Sequence, residues 1–168
     1  GALTEHNADV SCVLLAALPW GDSAHGRLAA ACGQNAAKQL VELMRREPEY
    51  KEVFISPAEA VKQADLNTLL CVVDTSRPEQ LEDPELLKLC GRVTVIDHHR
   101  IGNSFITDPA LDFIEPYASS ACELVTEILQ ELNETETPLR CEAEALLAGI
   151  VLDTKSFTLR TGDRTFDA

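Results

Sequence analysis

The sequence has few basic residues for its length, and this shortage excludes one class of function. Its 168 residues include 14 Lys and Arg against 28 Asp and Glu, which gives a formal net charge of −14. Proteins that bind duplex nucleic acid through bulk charge rely on Lys and Arg to neutralise the phosphates. The composition therefore excludes a duplex-binding protein of that kind, while the excess of carboxylates leaves room for a cation site.

Long apolar runs and paired cysteines are also missing. No apolar run approaches the roughly 18 residues that a membrane-spanning helix needs, and neither end resembles a signal peptide. The six cysteines form no Cys-x-x-Cys pair. We therefore expect reduced thiols in a cytosolic compartment, with no zinc knuckle and no disulfide framework. Cys71 and Cys122 are interpreted as small buried apolar residues.

What is present has the pattern of one α/β domain. A hydrophobic content of 45% with 25% charged residues excludes wholesale disorder. The predicted strands are Leu28–Cys32, Val53–Ile55, Leu69–Val73 and Val93–Ile96. The predicted helices are Ala36–Glu47, a helix opened by Ser56 and Pro57, Pro84–Leu89, Ala118–Leu132 and Cys141–Leu152. Strands with continuous rather than alternating hydrophobicity predict a mostly parallel sheet with helices on both faces.

Acidic residues follow apolar runs at three places, namely Asp74, Asp97 and Asp153. In a parallel sheet the ligand crevice lies at the carboxyl ends of the strands. A lone Asp at such a position usually caps a helix or a turn. Three of them, together with His98 and His99, favour a site for Mn²⁺, Fe or a similar divalent ion. Such a set can hold two ions about 3.5–4 Å apart, as in hydrolytic phosphoryl chemistry.

Four longer motifs resemble those of the DHH phosphoesterase family: VVDTSRP at 72–78, VIDHHR at 95–100, IEPYASSACELVTEIL at 114–129 and LLAGIVLDTKSFTLRTGDRTFDA at 146–168. The likeness covers about Cys32 to Ala168. It is strongest to the DHH domain of membrane-bound bacterial cyclic-di-AMP phosphodiesterases. The resemblance implies a DHH domain over residues 1–168, as a fragment that lacks the C-terminal substrate-binding domain. It also implies a longer protein anchored in the membrane, with this fragment on the cytoplasmic side and making no membrane contact.

The resemblance also implies an activity and a role for each residue of the strand-end set. The activity is a phosphodiesterase that uses two Mn²⁺ ions to activate water and opens cyclic-di-AMP to the linear dinucleotide. Asp74 is implied to bridge both ions, and His98 and Asp153 are implied to be further metal ligands. His99 is implied to face the scissile phosphate. Asp97 is expected to fix the tautomer and orientation of an imidazole.

The first motif of the family is degenerate in this sequence. The family pattern is Gly-His, three spacer residues and Asp-x-Asp, whereas the candidate here is EHNADVS at 5–11. His6 and Asp9 are the expected metal ligands, but their spacing is one residue short. Ser11 stands where the second Asp is expected. Because a serine hydroxyl is a weak neutral ligand, we expect one of the two ions to bind less tightly.

The beginning of the predicted helix 118–132 has two interpretations. A serine there can cap the helix with Glu123 in a Ser-x-x-Glu box. The helix start, with the hydroxyls of Ser119 and Ser120, can also receive a substrate phosphate. Arg100 directly follows His99 and is a further candidate for phosphate contact. Three other arginines are interpreted as surface or ion-pair residues: Arg77, Arg160 and Arg164.

Two other functions stay open at this stage. A catalytically weakened domain that binds a nucleotide or regulates a partner agrees with Ser11. A short-oligonucleotide nuclease or a pyrophosphatase shares the same DHH motif, although the YASS and LRTGDRTFDA stretches favour the cyclic-di-AMP branch. The expected partner is therefore a cyclic or linear dinucleotide, with no duplex nucleic acid. The sequence gives no oligomeric state.

Overall fold

The computed structural model describes residues 13–14, 35–51, 53–81, 83–132 and 138–168. Its strands and helices are β1 Val13–Leu14, α1 Asn35–Met44, α2 Pro57–Gln63, β2 Leu69–Val73, α3 Leu86–Leu89, β3 Arg92–Asp97, β4 Leu111–Ile114, α4 Ala121–Leu132, α5 Arg140–Asp153 and α6 Asp163–Asp167. Within these ranges, no helix has the length and apolar character needed to cross a membrane. The alternation of strands and helices confirms the predicted α/β class.

The described strands form one sheet in the order β1-β2-β3-β4. Strands β2, β3 and β4 are parallel, with Val73 beside Ile96 and Asp97 beside Ile114. Strand β1 pairs antiparallel to β2, and its first residue, Val13, lies opposite Val72 near the carboxyl end of β2. The mostly parallel sheet is confirmed, and β1 begins at the edge where the parallel strands end.

The core lies on both faces of this sheet. Leu70 of β2 and Val95 of β3 are fully buried, together with Ala60 of α2 and Leu86 of α3. Helix α4 packs against β3 and buries Leu124, which does not belong to that cluster. Helices therefore cover both faces, as the continuous hydrophobicity of the central strands predicts.

The local signals at Ser56 and in β2 are confirmed, but one predicted strand is wrong. Ser56 accepts a hydrogen bond from the Glu59 N–H at 3.2 Å, and Pro57 follows as the first helical residue. Residues 53–55 do not form a strand, although Phe54 makes a single β-bridge. Because the Val53 N–H already bonds to a turn carbonyl and Ser56 starts the helix cap, the run is too short for a ladder.

Other boundaries differ by a few residues, and three elements were not predicted, namely β1, β4 and α6. Helix α4 begins three residues later than predicted, and α3 two residues later. Helix α5 extends one residue further at each end. The unpredicted strand β4 is short, and its first residue, Leu111, is about half exposed, so it lacks the continuous apolar run of a buried strand. Helix α6 was also not predicted, and the predicted strand Leu28–Cys32 lies outside the described residues.

No disulfide joins any two of the four cysteines in the described ranges: Cys71, Cys90, Cys122 and Cys141. Cys71 and Cys122 are partly rather than fully buried. Burial raises the pKa of the Cys71 thiol. A thiol with a raised pKa is a poor nucleophile, as expected of a packing residue.

Candidate metal centre and substrate cleft

Asp74 occupies a turn at the carboxyl end of β2. Its backbone adopts a left-handed conformation with φ 70°, which Asp tolerates better than most side chains. The Asp74 N–H donates to the Ile96 carbonyl of the neighbouring strand at 2.9 Å. The first acid of the site is therefore anchored to the end of β3, which carries the next three residues of the site.

Asp97 is the last residue of β3 and is fully buried. Its Oδ1 accepts hydrogen bonds from His99, from the ring Nδ1 at 2.7 Å and from the backbone N–H at 3.1 Å. Burial acts to raise the pKa of Asp97, but these hydrogen bonds and the neighbouring imidazole together hold it below its ordinary value. An ionised Asp97 keeps the proton of a neutral His99 ring on Nδ1, so that Nε2 is the acceptor nitrogen of that ring.

His98 lies between two acids from different elements. Its Nε2 is 3.3 Å from Oδ1 of Asp74 and 3.6 Å from Oδ2 of Asp153, the last residue of α5. The side chain of His98 is only 6% exposed. The rings of His98 and His99 meet edge to face, with centroids 4.4 Å apart. The fold thus brings together the acids and imidazoles that follow three separate apolar runs.

The donor atoms of this cluster have the spacing of a cation site. Asp74, His98 and His99 each offer one ligand atom, and these atoms lie within 4.8 Å of one another. The contacts of His98 with the two acids are longer than the usual 2.7–3.2 Å of an N–H···O hydrogen bond. Carboxylate oxygens and imidazole nitrogens suit Mn²⁺, iron and similar ions. The residues present therefore fit a divalent metal ion.

The start of α4 forms half of the predicted capping box. The Glu123 N–H donates to Ser120 Oγ at 3.1 Å, which is the cap contact that a Ser-x-x-Glu pattern predicts. The Glu123 carboxylate instead reaches Ser119, whose hydroxyl donates to Oε2 at 2.5 Å and whose N–H lies 3.4 Å from the same oxygen. Glu123 therefore connects the first turn of α4 to Ser119, which lines a cavity beside the cluster.

Arg164, in α6, is surrounded by three glutamates. It donates to both carboxylate oxygens of Glu127, with Nη2 at 2.6 Å from Oε2. Its Nε lies 3.7 Å from Glu123 Oε1, and its Nη1 lies 3.9 Å from Glu115 Oε2. The interpretation of Arg164 as an ion-pair residue agrees with this geometry. The geometry around Arg164 does not test the same interpretation of Arg77 and Arg160.

Two adjoining cavities open beside the metal centre. A cavity of about 210 Å³ is lined by His98, His99, Ser119, Asp153, Leu159 and Arg160. A larger cavity of about 620 Å³ is bordered by Arg100, Arg160, Arg164 and the almost fully exposed Tyr117. Arg160 borders both cavities and is the residue that the two have in common. Arg164 is paired with glutamates, one of which, Glu123, lines the same cavity, so Arg100 and Arg160 are the arginines suited to attract anions there.

A left-handed turn after α5 precedes Arg160 in the chain. Lys155, Ser156 and Phe157 have φ of 48°, 59° and 61°, and Arg160 itself has φ 52°. Each such residue costs roughly 1–2 kcal/mol relative to the right-handed form. The buried Thr154 supports the turn, because its Oγ1 accepts from the Phe157 N–H at 2.9 Å. Strain of this kind is concentrated at functional sites.

The structure places most of the predicted site residues around one cleft. Asp74, Asp97, His98, His99 and Asp153 form the cluster, while Ser119 lines the smaller cavity. Ser120 is fully buried as the cap of α4, and Arg100 is an exposed residue of the larger cavity.

The predicted ligands His6 and Asp9, and Ser11 beside them, lie outside the described residues. Two neighbours of the cleft were missed as site residues. The sequence indicates a surface or ion-pair role for Arg160 and only a capping role for Glu123. The sequence does contain a sign of the role of Glu123, because the Ser-x-x-Glu pattern that ends at Glu123 is directly preceded by a second serine, Ser119. No sequence pattern predicts the left-handed turn that carries Arg160, because the turn contains no glycine.

The fold is similar to that of one solved structure with a different sequence. That structure is an exopolyphosphatase-related protein from Bacteroides fragilis, with a TM-score of 0.58 and 23% identity. The match covers 76% of this chain and 37% of that chain. At this identity the likeness supports the fold alone.

Curated relatives are much closer in sequence. The cyclic-di-AMP phosphodiesterase GdpP of Geobacillus thermodenitrificans is 49% identical over 132 residues, which are 79% of this chain. The protein of the same name from Bacillus subtilis is 46% identical over 134 residues, or 80% of this chain. The chain spans about one fifth of the length of these relatives, since the matches cover 20% of each.

A family model gives the assignment. The model described as "DHH family, N-terminal domain" matches residues 8–150, which is most of the chain. The matched segment contains Asp74 and the Asp97-His98-His99 motif. The sequence resemblance, the fold and this match agree: the chain belongs to the DHH family.

Proposed function

We propose that this chain is a metal-dependent phosphodiesterase domain that hydrolyses cyclic-di-AMP to the linear dinucleotide. The observation that carries the proposal is the cluster of Asp74, His98 and His99, whose ligand atoms lie within 4.8 Å of one another beside an arginine-lined cleft. The names of the curated relatives supply the substrate. The cluster alone supports a hydrolytic phosphate site, and the relatives narrow it to a cyclic dinucleotide.

Mn²⁺ is the ion we propose, with two ions per site. Asp74, His98 and Asp153 would hold metal, and the family resemblance implies that the two ions would share Asp74. Bound divalent ions neutralise phosphate oxygens and make an attacking water more acidic. His6 and Asp9 complete the proposed ligand set. In support, β1 begins at Val13 on the same edge of the sheet as the cluster.

The remaining residues would orient the substrate and move a proton. Asp97 holds the Nδ1 proton of His99, so that His99 Nε2 is the atom that would face the scissile phosphate. Arg100 and Arg160 lie beside the larger cavity and would attract the phosphates of the dinucleotide. Ser120 holds the start of α4 in place through its cap contact with the Glu123 N–H.

A second candidate is a catalytically weakened domain that binds the dinucleotide without efficient turnover. The observation that favours it is Ser11, which stands where the family pattern has a carboxylate. A neutral hydroxyl in place of a charged ligand weakens the hold on one ion. This candidate predicts Mn²⁺ and dinucleotide binding, with turnover restored when Ser11→Asp supplies the carboxylate.

The test measures bound Mn²⁺ per chain and the hydrolysis of three substrates, namely cyclic-di-AMP, its linear dinucleotide and a short oligonucleotide. The proposal expects Mn²⁺-dependent opening of cyclic-di-AMP that Asp74→Asn abolishes. Asp112→Asn, at an exposed aspartate of β4, is the matched control and should leave turnover unchanged. Preferential cleavage of the oligonucleotide would assign a nuclease instead. Failure to take up Mn²⁺ at saturating concentration would contradict both candidates.

We also propose that this domain works within a longer protein, since its curated relatives are about five times as long as the matched segment. Membrane anchoring, with this domain on the cytoplasmic side, is part of that proposal. A chain extended through a C-terminal substrate-binding domain should have a lower KM for cyclic-di-AMP than residues 1–168. An equal KM for the two chains would show that residues 1–168 bind the substrate unaided.

A further inference from the structure

Glu123 is a carboxylate in an unusual position, because it is only 1% exposed at the edge of a cleft. Burying a charged carboxylate is costly unless its oxygens are hydrogen-bonded and its charge is balanced. Oε2 receives the hydroxyl of Ser119 at 2.5 Å and the Ser119 N–H at 3.4 Å. Oε1 faces the guanidinium of Arg164, with Nε at 3.7 Å. The two oxygens of Glu123 therefore have different partners.

Arg164 is held in place independently of Glu123. Glu127 accepts from Arg164 through both of its carboxylate oxygens, one of them 2.6 Å from Nη2. Such a bidentate contact fixes the plane of the guanidinium. The position of Arg164 is therefore set from outside the cleft, and its Nε side balances the buried charge of Glu123.

This arrangement determines the polarity of the Ser119 hydroxyl. A serine hydroxyl has one proton to donate and two lone pairs that can accept. A carboxylate without a proton can only accept, so the hydroxyl proton of Ser119 points to Glu123. The lone pairs of the same oxygen then remain as acceptors on a residue that lines the smaller cavity. That cavity is also lined by His98, His99 and Asp153. A phosphate oxygen is an acceptor and cannot bind to these lone pairs, whereas a water molecule can donate to them.

We propose that Ser119 accepts a hydrogen bond from the attacking water, and that Glu123 and Arg164 are positioning residues that fix this polarity. This inference rests on the proposed function, and it differs from the phosphate contact that the sequence suggested for Ser119. The water oxygen forms a bond to phosphorus, and the bond from phosphorus to a ribose oxygen breaks. That ribose oxygen leaves with the proton that the water gives up. Ser119 keeps its own proton on Glu123 throughout.

The kinetic test compares Ser119→Ala with the unmodified chain on cyclic-di-AMP in Mn²⁺. Loss of one acceptor for the attacking water should lower kcat about tenfold, which is the effect of one hydrogen bond. KM should stay within about twofold, because the water contact does not hold the substrate. A rise in KM at unchanged kcat would show that Ser119 binds the phosphate, and it would overturn the inference.

Glu123→Gln tests the positioning role. Glutamine offers one acceptor oxygen where glutamate offers two, so Ser119 and Arg164 compete for it. With the amide NH₂ toward Ser119, the hydroxyl proton turns to the cavity, so that kcat falls about tenfold while KM is unchanged or lower.

Arg164→Lys keeps a positive charge beside Glu123 and should retain most of the kcat, whereas Arg164→Met removes the charge and should lower kcat. The exposed Arg140→Gln is the matched control and should leave both constants unchanged. Equal constants for Glu123→Gln and the unmodified chain would contradict the role.

A spectroscopic measurement decides the polarity without any turnover. In the metal-free chain, the Ser119 hydroxyl should exchange slowly with solvent, so that its Cβ resonance splits in mixed H₂O and D₂O. Glu123→Gln should collapse the splitting. Exchange at the bulk rate in the unmodified chain would overturn the inference. A slow hydroxyl in a chain that hydrolyses no dinucleotide would overturn the proposed function, and with it the catalytic role of Ser119, while the polarity itself would stand.

Discussion

Two groups of acids in this molecule lie at adjoining cavities and are balanced in different ways. In the strand-end cluster, Asp74, Asp97 and Asp153 contact the imidazoles of His98 and His99. In the helix-end cluster, three glutamates of β4's end and α4 surround the guanidinium of Arg164: Glu115, Glu123 and Glu127. An imidazole carries charge only when it is protonated, whereas a guanidinium is always charged.

This difference bears on how an acidic chain would bind the anionic substrate of the proposed function. The helix-end cluster has a permanent cation at its centre and needs none from solution. The strand-end cluster combines acids with imidazoles, which carry no permanent charge, so a divalent ion would supply the missing charge. Such an ion would reverse the sign of the local potential and attract phosphate. The two clusters should therefore respond differently to metal and to substitution.

The largest expected effect is the loss of Mn²⁺ binding when an acid of the strand-end cluster is replaced. Replacing an acid of the helix-end cluster should cause no such loss. Asp74→Asn keeps the left-handed backbone, which Asn also tolerates, but removes a charged ligand. We expect Mn²⁺ affinity to fall by about 100-fold or more, since even partners of the ligands are worth about 10–100-fold. Glu123→Gln should leave it within about twofold. Mn²⁺ titration of both variants checks this, and an equal loss in the two would erase the distinction.

A smaller loss is expected when the orientation of His99 is disturbed. Asp97→Asn keeps the shape of the side chain, but the amide can donate to Nδ1 and stabilise the wrong tautomer of the ring. Hydrolysis of cyclic-di-AMP should fall by about 10–100-fold. Steady-state kinetics at saturating Mn²⁺ separates this effect from weak metal binding. Wild-type turnover in Asp97→Asn would show that the tautomer of His99 does not matter.

A substitution where α4 packs against α5 should lower the stability of the fold. A Cβ placed on Gly149 of α5 would lie 2.2 Å from Sγ and 3.2 Å from Cβ of Cys122 in α4. Gly149→Ala should therefore lower the free energy of unfolding by about 1–2 kcal/mol. Gly162→Ala is the matched control, since nothing lies within 4 Å of its added Cβ. Chemical denaturation measures both, and equal stabilities would show that the helices move apart at no cost.

The smallest effect concerns acid stability without metal. Folding lowers the pKa of Asp97 below its ordinary value of 3.8. Its ionised form therefore stabilises the folded chain above about pH 4, and this contribution disappears as pH falls through the lower, folded pKa. Denaturation at several pH values should show a weaker loss below pH 4 in Asp97→Asn than in the unmodified chain. If the free energy of unfolding changed with pH in the same way in both chains, the lowered pKa of Asp97 would be contradicted.

The strand-end cluster could be predicted from the sequence, but the helix-end cluster could not. Continuous apolar runs located β2 and β3, and parallel topology then placed Asp74 and Asp97 at the same edge. Glu123 had a local interpretation as a capping residue, and half of it is correct. The ion pair of Glu123 depends on where α6 places Arg164, which is 41 residues further along the chain. No local sequence pattern predicts this placement. The left-handed turn before Arg160 likewise contains no glycine that could mark it.

The central claim is that the strand-end cluster binds a divalent metal ion. Titration of the metal-free chain with Mn²⁺, followed by the loss of the free-ion electron paramagnetic resonance signal, tests it most directly. We expect saturable uptake of at least one ion per chain, sharply reduced in Asp74→Asn and retained in Asp112→Asn. A chain that leaves the free Mn²⁺ signal unchanged at saturating concentration would contradict it.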